Sequence, residues 1–279
     1  MKIYKVKSGI LVYHKSSFFL LRDEDWDTFM NDDNLLQKTI DKISLMNPID
    51  NGQTLVDNEL MAPIGGQEIW ASGVTYYNSK LGRQEESKEA GGGDFYARVY
   101  VADRPELFFK ATAHRTVGSW ENVRIRHDST WNVPEPELTL LITSNGNIVG
   151  YTIGNDMSSR SIEGENPLYL PQAKTYDGSA AIGPCIYITD QPLPADTLIQ
   201  MKIVRDSELV FVNSIGINQM KRDLNDLVSY LYRECSFPKG CLLMTGTGIV
   251  PGREFGLKPN DQIQITIQQI GTLVNNVSK

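Results

Sequence analysis

Residues 133–160 constrain the fold of this chain more than any other segment. Two strand-like stretches, residues 138–143 and 148–155, are separated by Asn145 and Gly146. An Asn-Gly pair between two strands predicts a tight hairpin, because both central residues of a type I′ turn need a positive φ angle. A two-residue turn at this position also sets the register of the hairpin. It predicts that Glu135 lies opposite Asp156.

The two faces of this predicted hairpin differ in character, since side chains alternate along a strand. One face is apolar and is expected to pack into the core: Leu138, Leu140, Ile142, Val149, Tyr151 and Ile153. The other face carries small or polar residues together with Glu135, Glu137 and Asp156. Facing Cβ atoms in such a pair lie ~4.5–5.5 Å apart, so three carboxylates would gather at the open end of the hairpin.

Carboxylates this close repel one another, and a cation or bound protons would be needed to make the arrangement tolerable. Oxygen ligands alone suit a hard ion, so Mg²⁺ is the expected metal, with Mn²⁺ or Ca²⁺ as alternatives. A bare Glu-x-Glu is more often a solvated strand edge. Here Pro134 and Pro136 alternate with the glutamates, and they stiffen the strand end and remove two backbone donors. The metal interpretation is therefore favoured.

Strand patterns dominate the rest of the chain, which predicts a mixed β or α+β fold with few helices. Helical spacing appears over residues 35–43 and 218–234. Residues 60–68 contain Pro63, Gly65 and Gly66. This composition predicts a connection between a small N-terminal α+β domain, residues 1–66, and a catalytic domain, residues 67–279. Residues 83–98 are rich in charge and glycine and are interpreted as a mobile loop, with a lid over an active site as one role.

Composition and charge exclude several classes of function. The formal net charge is −7, and no basic patch with interleaved aromatic residues indicates a nucleic-acid partner. No apolar run long enough to cross a membrane is present, and the first residues do not read as a signal peptide. We therefore expect a cytoplasmic protein. With only three histidines, a zinc site built on imidazoles has few ligands to draw on.

The sequence at the hairpin, PEPEL followed by GYTIGNDMSSR, resembles the metal-binding core of the fumarylacetoacetate hydrolase superfamily. The resemblance continues through ASGVTYYNSK, RPELFFKAT, LPQAKTYDG and the loop TGTG at residues 245–248, so it spans about residues 69–270. It implies a mixed β-sheet roll with few short helices, assembled as a homodimer or a higher homo-oligomer. It also implies that Glu135, Glu137 and Asp156 bind the metal, and that the substrate is a small 2-keto acid.

The same resemblance assigns roles to other residues. It implies that Lys174 contacts the keto or carboxylate oxygens of the substrate and that Thr247 binds a substrate carboxylate. The backbone N–H of Gly246 in the same loop is a further expected contact. Lys110 and Arg83 are candidate contacts for an anionic substrate. Alternatively, each is an ordinary charged residue on the surface.

Ser79 departs from the pattern of the hydrolases in this family. Many of them carry a histidine where Ser79 stands, and that histidine activates the attacking water. A serine alone is a poor base near neutral pH, so Ser79 is interpreted instead as a substrate contact. The surrounding residues look closer to the branch of 2-keto-3-deoxy-sugar-acid dehydratases that includes 2-dehydro-3-deoxy-D-arabinonate dehydratase. The implied reaction is a dehydration through an enolate stabilised by Mg²⁺.

Four residues remain open as the general base or acid: Glu85, Glu86, His114 and Glu163. Glu163 lies about two helical turns after Asp156, whereas Glu85 and Glu86 lie in the predicted lid. Two further functions also remain open. One is a metal-dependent C–C hydrolase or decarboxylase of acylpyruvate-like or fumarylacetoacetate-like substrates, and the other is a metal-stabilised binding protein without catalysis.

Overall fold

A computed structural model describes the backbone of residues 1–86 and 93–279, and the side chains of residues 1–82 and 97–279. The strands within this part of the chain are β1 (Lys2–Val6), β2 (Gly9–His14), β3 (Ser17–Leu21), β4 (Glu68–Gly73), β5 (Glu106–Thr112), β6 (Thr116–Val117), β7 (Asn122–Arg124), β8 (Asn132–Val133), β9 (Pro136–Ile142), β10 (Ile148–Asp156), β11 (Ser158–Ser159), β12 (Ala180–Tyr187), β13 (Leu198–Arg205), β14 (Glu208–Gly216), β15 (Cys241–Met244), β16 (Gln262–Ile267) and β17 (Gly271–Ser278). The helices are α1 (Trp26–Met30), α2 (Leu35–Ser44), α3 (Gly52–Glu59), α4 (Tyr77–Glu86), α5 (Gly93–Val101), α6 (Arg160–Glu165), α7 (Leu170–Lys174) and α8 (Leu224–Leu231).

Two large sheets form the framework. The first has the strand order β3-β2-β1-β12-β10-β9-β15-β4-β5, with β6 pairing alongside β12, and the second has the order β14-β13-β16-β17-β7. Strands dominate and the helices are short, which confirms the expected mixed fold. Strands β9 and β10 lie near the middle of the first sheet, so the predicted hairpin is a central part of the molecule.

Within the described residues, three larger apolar cores and a small cluster of Val6, Leu11 and Leu20 hold these layers together. The largest joins the two sheets, and its members include Leu138, Ile153, Ile199, Ile265 and Leu273. The second packs α1 and α2 against the first sheet, and the third packs α8 against β9 and β15. The hairpin therefore has apolar neighbours on both faces. Thr139 and Leu141, on the face that carries the acidic residues, are buried as well.

The N-terminal strands belong to the first sheet. Strand β1 pairs antiparallel with β12, with Ile3 opposite Ile186, so residues 1–21 and the strands after residue 67 share one hydrogen-bonded layer. The division of the chain at residue 66 into two domains stays a prediction.

The hairpin turn differs from the predicted type I′ turn. Of the Asn-Gly pair only Gly146 has a positive φ, of 82°. The Thr143 N–H donates to the Asn147 carbonyl, and the Gly146 N–H donates to the Thr143 carbonyl, each at 2.9 Å. The loop therefore comprises three residues, 144–146, and needs a left-handed conformation only at its last position.

A bulge restores the predicted register beyond this longer loop. The pairing shifts between Ile148 and Gly150, which leaves Val149 as the extra residue on β10. From Gly150 onward the pairs are those expected of the two-residue turn, including Gly154 with Glu137. The predicted neighbourhood of Glu135 and Asp156 is thus confirmed, although the turn type behind it was wrong.

Residues 83–98, interpreted as a loop, are partly helical. Helix α4 extends to Glu86 and helix α5 begins at Gly93, while residues 87–92 lie outside the described part of the chain. The helix predicted over residues 218–234 is the shorter α8, which begins after its N-cap Asp223. Among the described residues, no helix is long and apolar enough to span a membrane.

Gly154 offers a test of the tight packing beside the carboxylates. A Cβ atom at this position would lie 2.3 Å from Thr139 Oγ1 and 3.1 Å from the side chain of Met244. We expect Gly154→Ala to lower the free energy of unfolding by about 1–3 kcal/mol, because overpacked cores strain their neighbours. Chemical denaturation measures this loss.

Gly256→Ala is the matched control for this substitution. The nearest atom to a Cβ at Gly256 is Trp131 Cδ1 at 3.7 Å, which is an ordinary contact, so its stability should stay close to that of the wild type. Equal stability of the two variants would contradict the tight packing described for Gly154.

Candidate active site

Three acidic side chains converge where β9 begins and β10 ends. One carboxylate oxygen from each of Glu135, Glu137 and Asp156 lies within 4.8 Å of the other two, and all three residues are buried. The Asp156 N–H donates to the Glu135 carbonyl at 2.9 Å. This backbone bond holds the two chain segments in register, as the sequence predicted.

Arg160 neutralises part of this charge from α6. Its guanidinium lies 2.6 Å from Glu135 Oε1 and 3.8 Å from Glu163 Oε2. The helix follows directly after the Asp156 segment, so a local turn returns a positive side chain to the carboxylates. Arg160 is itself buried, and ion pairs in such surroundings are costly to break.

Glu137 has a different environment from the other two acids. Its Oε2 accepts a hydrogen bond from the backbone N–H of Gly246. Burial, with the negative charges of Asp156 and Glu135 added, raises the pKa of the Glu137 carboxyl well above its ordinary value. A bound cation would reverse this effect, because it favours the ionised form.

Lys174 projects into the cluster from the end of α7. Its ammonium group lies 2.6 Å from Glu135 Oε2 and 2.9 Å from Asp156 Oδ2, and it also donates to Ser158 Oγ. The side chain is fully buried. The structure therefore brings the predicted catalytic lysine directly to two of the three predicted metal ligands.

Lys110 contacts the cluster through Asp156. The side chain is fully buried on β5, and its ammonium group lies 2.7 Å from Asp156 Oδ1. Burial lowers the pKa of Lys110, and the charge of Asp156 opposes that shift. The alternative of an ordinary surface charge is wrong for this residue, and the predicted substrate contact has no support in these contacts.

The four candidates for the general base separate in the structure. Glu163 is buried, and its Oε1 lies 3.9 Å from the Lys174 ammonium. His114 is exposed, and the described contact of its ring is with Thr112 Oγ1 at 2.8 Å. The side chains of Glu85 and Glu86, and that of the predicted anion contact Arg83, lie outside the described part of the chain. Glu163 is thus the candidate that the described residues bring to the cluster.

The predicted substrate contacts are engaged with their own backbone. The Ser79 hydroxyl donates to the Tyr76 carbonyl at 2.7 Å and accepts from the Tyr76 N–H at 3.2 Å, which closes the first turn of α4. The Thr247 hydroxyl makes the same kind of pair with Ile249. The Gly246 N–H, expected to bind a substrate carboxylate, is directed to Glu137 instead. The substrate roles of these three residues stay predictions.

Sequence reasoning missed the part played by Ser158. It is fully buried, accepts a hydrogen bond from Lys174 and donates to the Asp156 carbonyl at 3.0 Å. Its position two residues after a predicted ligand was the available signal. That spacing places both side chains on the same side of an extended segment.

The residues present suit a hard divalent cation. The ligand set consists of carboxylate oxygens alone, which is the chemistry that Mg²⁺ prefers. Four buried carboxylates, including Glu163, face three buried cations: Lys110, Arg160 and Lys174. With all four carboxylates ionised the cluster carries an excess of negative charge, which either a proton on Glu137 or a bound metal ion would offset.

Comparison with known proteins identifies the family. The sequence profile described as "Fumarylacetoacetate (FAA) hydrolase C-terminal" matches residues 75–278. The chain belongs to the fumarylacetoacetate hydrolase family. This result confirms the resemblance inferred from the motifs around the carboxylate cluster.

Two relatives within the fumarylacetoacetate hydrolase family share about half of the aligned residues. A protein of Haloferax volcanii named "Probable 2-keto-3-deoxyxylonate dehydratase" is 48% identical over 225 residues, which cover 80% of this chain and 76% of the relative. The 2-dehydro-3-deoxy-D-arabinonate dehydratase of Saccharolobus solfataricus is 45% identical over the same length and with the same coverage.

A solved structure extends the likeness to the whole fold. The structure of 2-keto-3-deoxy-D-arabinonate dehydratase complexed with magnesium and 2,5-dioxopentanoate superposes with a TM-score of 0.85 at 38% identity. The match covers 100% of this chain and 99% of that one. A homologous fumarylacetoacetate hydrolase fold thus holds the metal expected from the carboxylate cluster.

The raised pKa of Glu137 predicts that metal stabilisation depends on pH. A carboxyl group whose pKa is raised above the ordinary 4.5 on folding stabilises the protein when protonated. That contribution is present at low pH and is lost as the pH rises through the pKa of the folded state. Mg²⁺ competes with the proton, so its stabilising effect should be larger near pH 8 than near pH 5.5. Melting temperatures with and without Mg²⁺ at both pH values measure this.

Glu137→Gln provides the control for this prediction. The variant lacks the ionisable group but keeps an oxygen that can accept from Gly246. Its metal-free form should be more stable than the wild type near pH 8, and Mg²⁺ should raise its melting temperature little at either pH. An equal Mg²⁺ effect at both pH values in the wild type would contradict the assignment of Glu137.

Proposed function

We propose that this enzyme is a Mg²⁺-dependent lyase that dehydrates a 2-keto-3-deoxy sugar acid. The observation that carries the proposal is the position of Lys174, whose buried ammonium group contacts two of the three clustered carboxylates. A purely structural ion site has no need of a lysine directed at its own ligands. The dehydratase relatives at 48% and 45% identity supply the substrate class.

The proposed chemistry divides between the metal and the side chains. When bound by Glu135, Glu137 and Asp156, Mg²⁺ supplies positive charge to the keto and carboxylate oxygens of the substrate. The three donors of Lys174 are directed at Glu135, Asp156 and Ser158. With those carboxylates engaged by the metal, one donor would turn to the keto oxygen, which gains negative charge as the C3 proton leaves. A preorganised ammonium group in a site closed to water stabilises such charge more strongly than it would in solution.

We propose Glu163 as the base that takes the C3 proton on its Oε1. It is a buried carboxylate 3.9 Å from Lys174 and is not among the three clustered metal-ligand candidates. Once the C3 proton has moved to Glu163, the C4–O bond breaks, a C3=C4 double bond forms, and the leaving hydroxide takes the proton back from Glu163 and departs as water. In a five-carbon substrate, a proton then moves from C5 to C3, which gives the C4=C5 enol. The enol hydroxyl proton moves to C4, which gives the C5 aldehyde, so the substrate equals the product plus one water.

The contacts of Ser79 disfavour the hydrolase alternative. Its hydroxyl proton is donated to the Tyr76 carbonyl and one lone pair accepts from the Tyr76 N–H, and a serine held in this way is a poor base for an attacking water. A dehydratase needs no such water.

The products formed from a panel of substrates test this function. Incubated with Mg²⁺, 2-keto-3-deoxy pentonates should lose the mass of one water, whereas acylpyruvates should stay intact. Lys174→Met should lower kcat by about 10²–10⁴-fold, the range that a positioned charge or proton donor contributes. Mass spectrometry identifies the products and a continuous assay gives kcat.

Lys202→Met serves as the control, because Lys202 is exposed on β13 and its kcat should match that of the wild type. Cleavage of acylpyruvates into two acids would favour the hydrolase. Absence of turnover on every 2-keto acid would favour a binding protein.

We also propose that the enzyme forms a homodimer or a higher homo-oligomer through the edge of the second sheet. Within the described residues β14 is the last strand of that sheet, and Leu209 and Val212 on it are 56% and 52% exposed. Residues 209–220 carry no charge, in a chain whose net charge would otherwise keep copies apart. An antiparallel second copy that adds its own β14 to this edge would continue the sheet across the interface.

Val212→Lys tests this interface. A lysine on each of two facing strands should prevent their pairing, so the variant should sediment as a smaller species than the wild type. Leu45→Lys is the control, since Leu45 is 89% exposed at the end of α2 and far from β14 in the fold. A monomeric wild type, or an unchanged Val212→Lys assembly, would contradict the interface. The cytoplasmic location expected from the sequence stays a prediction.

A further inference from the structure

Lys110 is a buried cation that the proposed chemistry does not use. It lies on β5, the last strand of the first sheet, and its side chain is fully shielded from solvent. Burying an ammonium group costs several kcal/mol unless it is paired and hydrogen-bonded. The groups that Lys110 contacts therefore indicate the role of this buried charge.

Three oxygen atoms surround the Lys110 ammonium group, and each belongs to the active site. Asp156 Oδ1 lies 2.7 Å away and the Met157 carbonyl 2.9 Å away. The third partner is the backbone carbonyl of Lys174. The contacts with the two carbonyls are hydrogen bonds, and the contact with Asp156 Oδ1 is a close ion pair.

These contacts connect two segments that are separate in sequence. Asp156 and Met157 lie at the end of β10, whereas Lys174 ends α7. Lys110 binds the carboxylate oxygen of Asp156 that does not face Lys174, since Oδ2 contacts the Lys174 ammonium group. It thereby restricts rotation of the Asp156 carboxylate and also holds the backbone from which the Lys174 side chain projects.

We infer that Lys110 is a positioning residue that sets the placement of the metal ligand Asp156 relative to the catalytic Lys174. This inference rests on the proposed function for the roles of those two residues. Lys110 is assigned no contact with substrate in this arrangement, because its ammonium group is fully buried among these protein oxygens. Groups that orient metal ligands in this way commonly change metal affinity 10- to 100-fold when they are removed.

A role in charge balance alone would have the opposite effect on metal affinity. Removing a positive charge beside Asp156 would strengthen the attraction of the site for Mg²⁺. Loss of positioning would weaken it, because the Asp156 carboxylate could turn away. The sign of the change therefore separates the two roles.

Two variants test the inference. Lys110→Met removes the ammonium group and keeps an unbranched side chain, whereas Lys110→Arg keeps the charge but cannot reproduce three contacts to a single nitrogen. We expect both to bind Mg²⁺ about 10- to 100-fold more weakly than the wild type. Isothermal titration calorimetry with Mg²⁺ alone measures this and needs no substrate.

A kinetic measurement adds a second readout. Because Lys110 also anchors the Lys174 backbone, kcat of Lys110→Met should stay at least about 10-fold below that of the wild type when Mg²⁺ is saturating. Lys5→Met is the matched control. Lys5 is a half-buried lysine that donates to the Ile64 carbonyl in the N-terminal part of the chain, so its removal should leave Mg²⁺ affinity and kcat unchanged.

The outcomes distinguish this inference from the proposed function. Unchanged or tighter Mg²⁺ binding by Lys110→Met, or wild-type binding by Lys110→Arg, would overturn the positioning role alone. A wild type that fails to bind Mg²⁺ would overturn the proposed function first. If neither variant folds, a crystal structure of the wild type with Mg²⁺ decides. Lys110 Nζ should then remain within hydrogen-bonding distance of Asp156, Met157 and Lys174, and a retracted side chain would overturn the inference.

Discussion

The site depends on burying four carboxylates together without leaving their charge uncompensated. Glu135, Glu137, Asp156 and Glu163 are all buried, and an isolated buried charge of this kind would cost more than a folded domain can spare. The chain meets this constraint with three buried cations from three different elements. Arg160 comes from α6, Lys174 from α7 and Lys110 from β5. The one negative charge left over when all four carboxylates are ionised is offset by a proton on Glu137 or by a bound cation.

The same electrostatic network explains why the arrangement suits catalysis. Charges that stabilise a developing negative oxygen are most effective when they are fixed before the reaction begins. Here the ligands lie on central strands of a ten-stranded sheet, and Lys174 is held at its ammonium group and at its backbone carbonyl. The contacts that offset the repulsion between the buried carboxylates thus also fix the positions of the reacting groups.

The hairpin shows which features of the site local sequence patterns could predict. Asn145 and Gly146 predicted a turn in the right place, and the turn's register predicted that Glu135 and Asp156 would meet. The structure has a three-residue loop and a bulge at Val149, and the two deviations cancel. The buried neighbours fix the outcome, since a slip by one residue would move Glu137 and Asp156 to the opposite face. The three-residue loop alone would place Glu135 and Asp156 one residue out of register. The bulge at Val149 restores their pairing, and packing on both faces of the strands stabilises it.

The sequence by itself determined the mixed strand-rich fold, the metal-ligand candidates Glu135, Glu137 and Asp156, and Lys174 as their neighbour. It left Glu163 as one of four open candidates for the base. These features follow from periodicity and short spacing, or from motifs that resemble a known family, and both are readable along the chain. Only the tertiary structure decided that Lys110 holds Asp156, that the Gly246 N–H serves Glu137, and that Ser79 and Thr247 bond to their own backbone. The physical reason is that a hydrogen-bond partner is chosen by distance and burial after folding. Residues 46 or 109 positions apart in sequence, such as Lys110 with Asp156 or Glu137 with Gly246, leave no local pattern that records their contact.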